Sequence, residues 1–263
     1  MELWQVIVAL IQGLVEWLPI SSEGQAVLFV YSMGAVPSES LLTLVIWLHI
    51  GTTLAVIVRY PRDIVGLLTM KDKLLFRRLL IATVGTAVTA VPLYFMLKGS
   101  FSTINGEMLN IVIGVLLVVT AIILYMPTRR DSASEEVGGE IDDKEALISG
   151  LLQGLAVLPG LSRSGVTISS LLMQRVDKEA AMKFSFLMSV PAVVGIFVLD
   201  VVIGGSPLPV SAIDLLLIEM IVFVTGLLSM EFLLRLAGRV RFWMLCLVLG
   251  VVAILFGIPT LFS

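Results

Sequence analysis

An apolar run from Leu3 to Trp17 opens the chain, stops at Leu18-Pro19, and gives way to Ser21, Ser22 and Gly24. A run this short is more often re-entrant or buried than membrane-spanning. Proline disfavours helix at the residue before it and supplies no backbone donor, so a first helix ends at this point. Ser21 and Ser22 are good caps for a second helix reaching about Met33. The pattern therefore predicts a re-entrant helical hairpin over residues 3–33. The same plan returns later: Ala146 to Leu158 is apolar, Pro159-Gly160 breaks the run, and Ser162 or Ser164 can cap a helix to about Arg175. This predicts a second hairpin over 146–175. Gln-Gly-Leu introduces both breaks, at Gln12 and Gln153, and Gln12 to Gly24 has the same spacing as Gln153 to Gly165.

Between and after the hairpins lie six apolar runs near 39–59, 79–97, 108–126, 179–203, 213–234 and 242–261. Each is close to the roughly 20 residues a helix needs to cross a hydrocarbon core. Each hairpin is thus followed by three crossings. Three is odd, so the second unit is expected upside down relative to the first. The expected fold is an all-α integral membrane protein, an inverted repeat of two units, each a re-entrant helical hairpin plus three transmembrane helices. The first repeat covers 1–126 and the second 145–263, with the polar stretch 127–144 as a cytoplasmic linker.

Composition agrees with that pattern. Of 263 residues, 58% are hydrophobic and 14% charged, with a mean hydropathy of +1.07, beyond an ordinary soluble domain. No Lys or Arg precedes Arg59, so the basic start of a cleavable signal is lacking and the N-terminal run is expected to stay in the fold. Cys246 is the only cysteine and cannot form a disulfide within the chain. A net charge of −3 speaks against nucleic acid. Threading the six spans puts fifteen of the seventeen Lys and Arg residues on one side and Lys98 alone opposite. By the positive-inside rule the fifteen are cytoplasmic. The first hairpin then dips from the outer face and the second from the cytoplasm, and the C-terminus is outside.

The remaining basic residue, Arg163, falls at the tip of the second hairpin. A charge at membrane depth persists when it is paired or faces a polar cavity. A guanidinium fork beside free helix N-termini describes an anion site, to which Ser21, Ser22, Ser162 and Ser164 add hydroxyls. Glu16 lies at the other tip, either as the buried partner of Arg163 or as a general base or metal ligand. Glu23 either faces solvent or helps to neutralise Arg163. Ser22 is a cap, or a nucleophile if a base adjoins it. His49, the one histidine, sits in an apolar span and is expected to be packed and hydrogen-bonded, while Asp200 and Glu219 mark polar contacts between helices. Walker-type phosphate loops, GxSxG and HExxH are absent.

Taken together, GLVEWLPISSEG in the first half and LPGLSRSGVTIS with FSFLMSVPAVVG in the second resemble the bacterial undecaprenyl-diphosphate phosphatases linked to bacitracin resistance, over essentially the whole chain. The resemblance implies a membrane enzyme that removes the terminal phosphate of a polyprenyl diphosphate and so recycles the lipid carrier of glycans. It implies Glu16, Ser22 and Arg163 as catalytic residues, with Ser22 as nucleophile and Arg163 as phosphate binder. Gln12, Ser21, Gln25, Ser162, Ser164, Gly165 and Thr167 are implied on the substrate. It further implies a divalent cation, Mg or Ca, on Glu16, and a site opening towards the outer face of the cell membrane. Two positions depart from the pattern: Gln12 stands for the first Glu of E-G-x-x-E, and Gln25 for the His of S-S-x-G-H. Glutamine is neither a base nor a charged ligand. The chain looks like a divergent, archaeal-type branch, for which the carrier would be dolichyl rather than undecaprenyl. The alternative is a polyprenyl-phosphate flippase or anion transporter, since inverted repeats with broken helices also serve alternating access. A homodimer is expected from Gly85, Gly114 and Gly226, which allow close helix approach.

Overall fold

The computed structural model describes residues 1–100, 106–129, 140–236 and 241–257, and among them every regular element is helical. Helix α1 (Leu3–Val15) ends before Pro19, and α2 (Ser22–Ser32) starts at a Ser21 cap whose hydroxyl accepts the Gly24 N–H at 3.2 Å. Helix α3 (Leu41–Arg59) is followed by the short α4 (Pro61–Leu68), with proline in its first turn where no donor is needed. Helices α5 (Lys73–Ser100) and α6 (Gly106–Tyr125) complete the first half. In the second half, α7 (Asp143–Leu155) starts from a reciprocal Asp142–Glu145 capping box, and α8 (Arg163–Met173) from Ser162, which accepts the Gly165 N–H at 3.2 Å. Helices α9 (Lys178–Val202), α10 (Ala212–Leu236) and α11 (Phe242–Gly257) follow.

Five of these helices are long and apolar enough to cross a membrane, and α11 is a shorter apolar helix over its described length. The chain is an all-helical integral membrane protein. Three details differ from the sequence expectation. Helix α5 begins at Lys73 rather than near 79, because its first turns are helical but too basic to count as apolar span. Helix α7 begins at 143, three residues before its apolar run, because the capping box satisfies its first N–H groups. Helix α4 was not anticipated from its short, mixed sequence. Most of the expected linker, residues 130–139, and the end of the last expected span lie outside the described residues.

Polar contacts sort the helix ends into two groups. At one end, Arg59 pairs with Glu231 (3.3 Å), Lys183 with Asp63 (2.7 Å) and Arg77 with Asp143. This gathers the end of α3 and α10 with the start of α5, α7 and α9. At the other end, the Met1 amino group pairs with Asp214 (3.0 Å), the Ser40 hydroxyl donates to Pro207 O (2.9 Å), and Lys98 donates to Gly204 O (3.1 Å). Helix α1 therefore starts at the end opposite to the start of α7. The packing of the two halves also corresponds. Helix α1 lies along α10 with Gly13 against Thr225, as α7 lies along α5 with Gly154 against Thr89. Helices α6 and α11 pack together through Gly114 and Gly250. Small residues suit such seams, because two apolar helices in lipid gain only from close packing.

Gly85, Gly114 and Gly226 are all used in this way inside the protomer. Gly85 faces Leu147 and Leu151, Gly114 faces Gly250 and Ile254, and Gly226 faces Thr52 and Ala55. These three close-approach positions, from which a homodimer is expected in the sequence, are occupied by helices of the same chain.

Candidate active site

The two helix breaks meet. The Ser21 hydroxyl accepts the N–H of Gly160 (3.1 Å), and the Ser164 hydroxyl donates to Leu18 O (3.3 Å). Ser21 holds φ 59°, a left-handed conformation uncommon for a residue with a side chain, and Gly160 holds φ 112°. A side chain at Gly160 would run into Ile113 and Leu116 of α6, so glycine is needed there for space as well as for conformation. Neighbouring helices hold both tips. The Trp17 indole donates to Gly226 O (2.7 Å), the Cys246 thiol to Pro19 O (2.8 Å), and Thr120 donates to Gly160 O (3.2 Å) while accepting from the Ser162 N–H (3.2 Å). Trp17 also packs edge-on against Phe186 at 5.1 Å, so the residue after Glu16 is fixed from two sides.

Glu16 is the hub, buried at 5% exposure. One carboxylate oxygen, Oε1, pairs with Arg163 Nη2. The other, Oε2, accepts from the Ser22 hydroxyl at 2.5 Å and from Gln12 Nε2 at 2.9 Å, with His49 Nε2 at 3.4 Å. Glu23 Oε1 lies 3.3 Å from the same His49 nitrogen. His49 Nδ1 is 2.7 Å from Val45 O, an acceptor only, so Nδ1 carries a hydrogen and Nε2 is the position free to exchange a proton between two carboxylates. A cavity of about 80 Å³ adjoins this cluster and is lined by Glu23, His49, Thr86, Tyr94, Gln153 and Arg163 with apolar residues of α3 and α9. Glu16 lies one polar contact deeper, and Ser22 one further, bonded to Glu16. The Arg163 Nη1 and the Gln12 and Gln153 Oε1 atoms are buried without a hydrogen-bond partner. Arg163 lines the cavity, where water or an anionic ligand can complete its free donor.

Of the residues singled out from sequence, Gln12, Glu16, Ser22 and Arg163 converge. Ser21 and Ser162 are spent as caps. Ser164 ties the tips together, and Gly165 packs against Pro19 and Ser162. Thr167 turns away, donating to Arg163 O (2.8 Å) and meeting the Ser185 hydroxyl at 2.5 Å. Gln25 is a correction. It lines a separate apolar groove of about 620 Å³ with Leu28, Phe29, Leu249 and Val252. The reason is helical geometry: Glu23 points at His49, and two residues further on is about 200° round the helix.

His49 and Gln153 are what sequence reasoning missed. His49 is packed and hydrogen-bonded as expected, but its second nitrogen completes the cluster. The available signal was an ionisable group within a span, which marks function more often than packing. For a divalent cation the donor set does not fit as it stands. Both Glu16 oxygens are committed to Arg163, Ser22 and Gln12, and among the described residues no group of three His, Cys, Asp or Glu side chains is arranged to hold a metal.

Fold and site together define a class: a polytopic helical membrane protein with a buried cluster of arginine, carboxylates, histidine and serine built where two broken helices touch. The bacitracin resistance protein BacA family model matches residues 5–254, and the chain belongs to that family. Proteins named undecaprenyl-diphosphatase from Methanothrix thermoacetophila and Methanopyrus kandleri are 38% and 39% identical to it, covering 95% and 97% of this chain and 94% and 96% of theirs. One of the same name from Haloarcula marismortui is 33% identical over 96% of each chain.

Proposed function

We propose that the protein is a membrane phosphatase that hydrolyses the terminal phosphate of a polyprenyl diphosphate, of undecaprenyl or dolichyl type, and so returns the carrier lipid to use. The observation that carries this reading is the Arg163–Glu16–Ser22 arrangement: a nucleophile bonded to a carboxylate whose other oxygen is held by a phosphate-binding group. An arriving diphosphate takes the guanidinium fork through the unmatched Nη1 and competes with Glu16 for Nη2. That contest frees the carboxylate to receive the Ser22 proton. Ser22 Oγ then attacks the terminal phosphorus, the polyprenyl monophosphate leaves, and Arg163 with the N-terminus of α8 stabilises the developing charge. In the second step a water gives its proton to His49 Nε2 and attacks the phosphoserine. Phosphate departs, and Ser22 Oγ regains the proton held by Glu16. His49 passes its proton to Glu23, which faces the cavity. No step is routed through a metal, given the committed donors.

The inverted two-unit reading is supported by the opposite entry of α1 and α7 and by the matching seams of the two halves. The division into 1–126 and 145–263 follows from it. Placement in the cell membrane with the site opening outward is supported by Tyr94. This residue lines the cavity and lies one turn from Lys98, at the end of the bundle away from the paired basic residues. One protomer supplies every residue the mechanism uses, so no homodimer is required. The comparisons lend nothing to the transport alternative.

The test is phosphate release from polyprenyl diphosphate by the purified protein, with and without Mg²⁺ or Ca²⁺. Ser22→Ala, Glu16→Gln and Arg163→Lys are each expected to lower turnover by about 10²–10⁴-fold. Folded wild-type protein releasing no phosphate in any of these conditions rules the reading out. Full turnover in Ser22→Ala removes the serine step alone.

A further inference from the structure

The space nearest the cluster is a cavity of about 80 Å³, lined by Glu23, His49, Tyr94 and Arg163. Phosphate formed beside this cavity needs a path to the surface. Near the cavity end away from the paired basic residues, the Tyr94 hydroxyl donates to Asp200 Oδ1 at 2.5 Å, joining α5 to α9. Tyr94 is fully buried and lines the cavity, while Asp200, 2% exposed, lines a separate cleft of about 360 Å³ with Thr43, Trp47 and Ser206. This bond stands between the two spaces. An apolar collar of Leu42, Ile46, Ile196 and Phe197 surrounds Tyr94.

Both helices that carry the pair have a weak point. Pro92 lies inside α5 two residues before Tyr94, and Pro191 lies inside α9 before Asp200. Each removes a helical hydrogen bond and allows the helix to bend there. The segment after α9 covers the carboxylate from outside. Gly204 holds φ 73°, and any side chain at Gly205 would collide with Asp200 Oδ2. Ser206 N–H to Thr43 Oγ1 (3.2 Å) and Ser40 to Pro207 O (2.9 Å) pin this segment to the start of α3. A buried phenol–carboxylate pair at this depth is used by no step of the chemistry, and a charged acceptor makes it one of the stronger neutral-donor bonds.

We propose that the Tyr94–Asp200 bond is the gate between the phosphate cavity and the surface cleft, opened by bending of α5 and α9 at Pro92 and Pro191, and that inorganic phosphate leaves through it. The exit of phosphate rests on the phosphatase reading; the gate itself does not. The test places a reporter thiol in the cavity, Val193→Cys, and measures its labelling by a small charged methanethiosulfonate in the full-length detergent-solubilised protein, with the unaltered chain as baseline for Cys246. Adding Tyr94→Phe is expected to speed labelling about tenfold by releasing the closed state. Asp200→Asn, which weakens the bond and keeps the shape, is expected to give a smaller increase and serves if the first variant fails to fold. Unchanged or slower labelling in folded variants overturns the gate, as does lost turnover without a labelling change, which marks the pair as merely structural. Faster labelling in a protein that releases no phosphate keeps the gate and sinks the phosphatase reading instead.

Discussion

His49 shows how one side chain changes role with its surroundings. Its Nδ1 is fixed by the Val45 carbonyl, so the ring cannot rotate away, and Nε2 is held 3.3 and 3.4 Å from two carboxylates. Replacing it with Gln keeps a polar side chain and removes the proton acceptor. His49→Gln is expected to lower kcat by about 10²–10⁴-fold while lipid binding is retained, read by steady-state phosphate release and by lipid co-purification. Gln25→Ala, on the far side of α2, is expected to leave kcat unchanged in the same assay. From sequence, Glu16, Ser22 and Arg163 were legible because a carboxylate, a serine pair and an arginine stood at breaks in apolar runs. His49 carried only the signal of an ionisable group inside a span, and the packing of α3 against α1 and α2 is what shows its partners.

At the scale of elements, the breaks were legible and the contacts between helices were not. Proline followed by serine ends one helix and starts another wherever it occurs, so hairpin boundaries follow from local chemistry. Which helix each glycine meets depends on crossing geometry. Gly114 illustrates it: a Cβ there would lie 2.7 Å from Gly250 O and from Ile254 Cγ1. Gly114→Val is expected to destabilise the protein by about 1–3 kcal/mol, seen as a lower thermal midpoint in detergent. The seam between α6 and α11 also positions the tips, since Thr120 holds Gly160 and Cys246 holds Pro19. The site residues are thus placed by helices that contribute none of the reacting groups.

For the whole molecule, the opposed entry of the two hairpins makes sidedness testable. On the proposed topology the paired basic ends face the cytoplasm, as the positive-inside rule favours, and the segment after α9 faces outside. In sealed cells, a membrane-impermeant thiol reagent is expected to label Pro209→Cys and to spare Lys71→Cys; the reverse pattern would invert the topology and turn the cavity inward. The sequence by itself determined the apolar spans, the helix breaks, the charge asymmetry and the reactive groups at the tips, because each follows from transfer energies and backbone limits acting within a few residues. Only the tertiary structure decided that Glu16 and Arg163 meet, that His49 and Tyr94 face the same cavity, and that the close-approach glycines are satisfied within one chain. Those outcomes depend on which surfaces of distant helices touch, and a side chain's own chemistry sets what it can bond to but not what will be brought beside it.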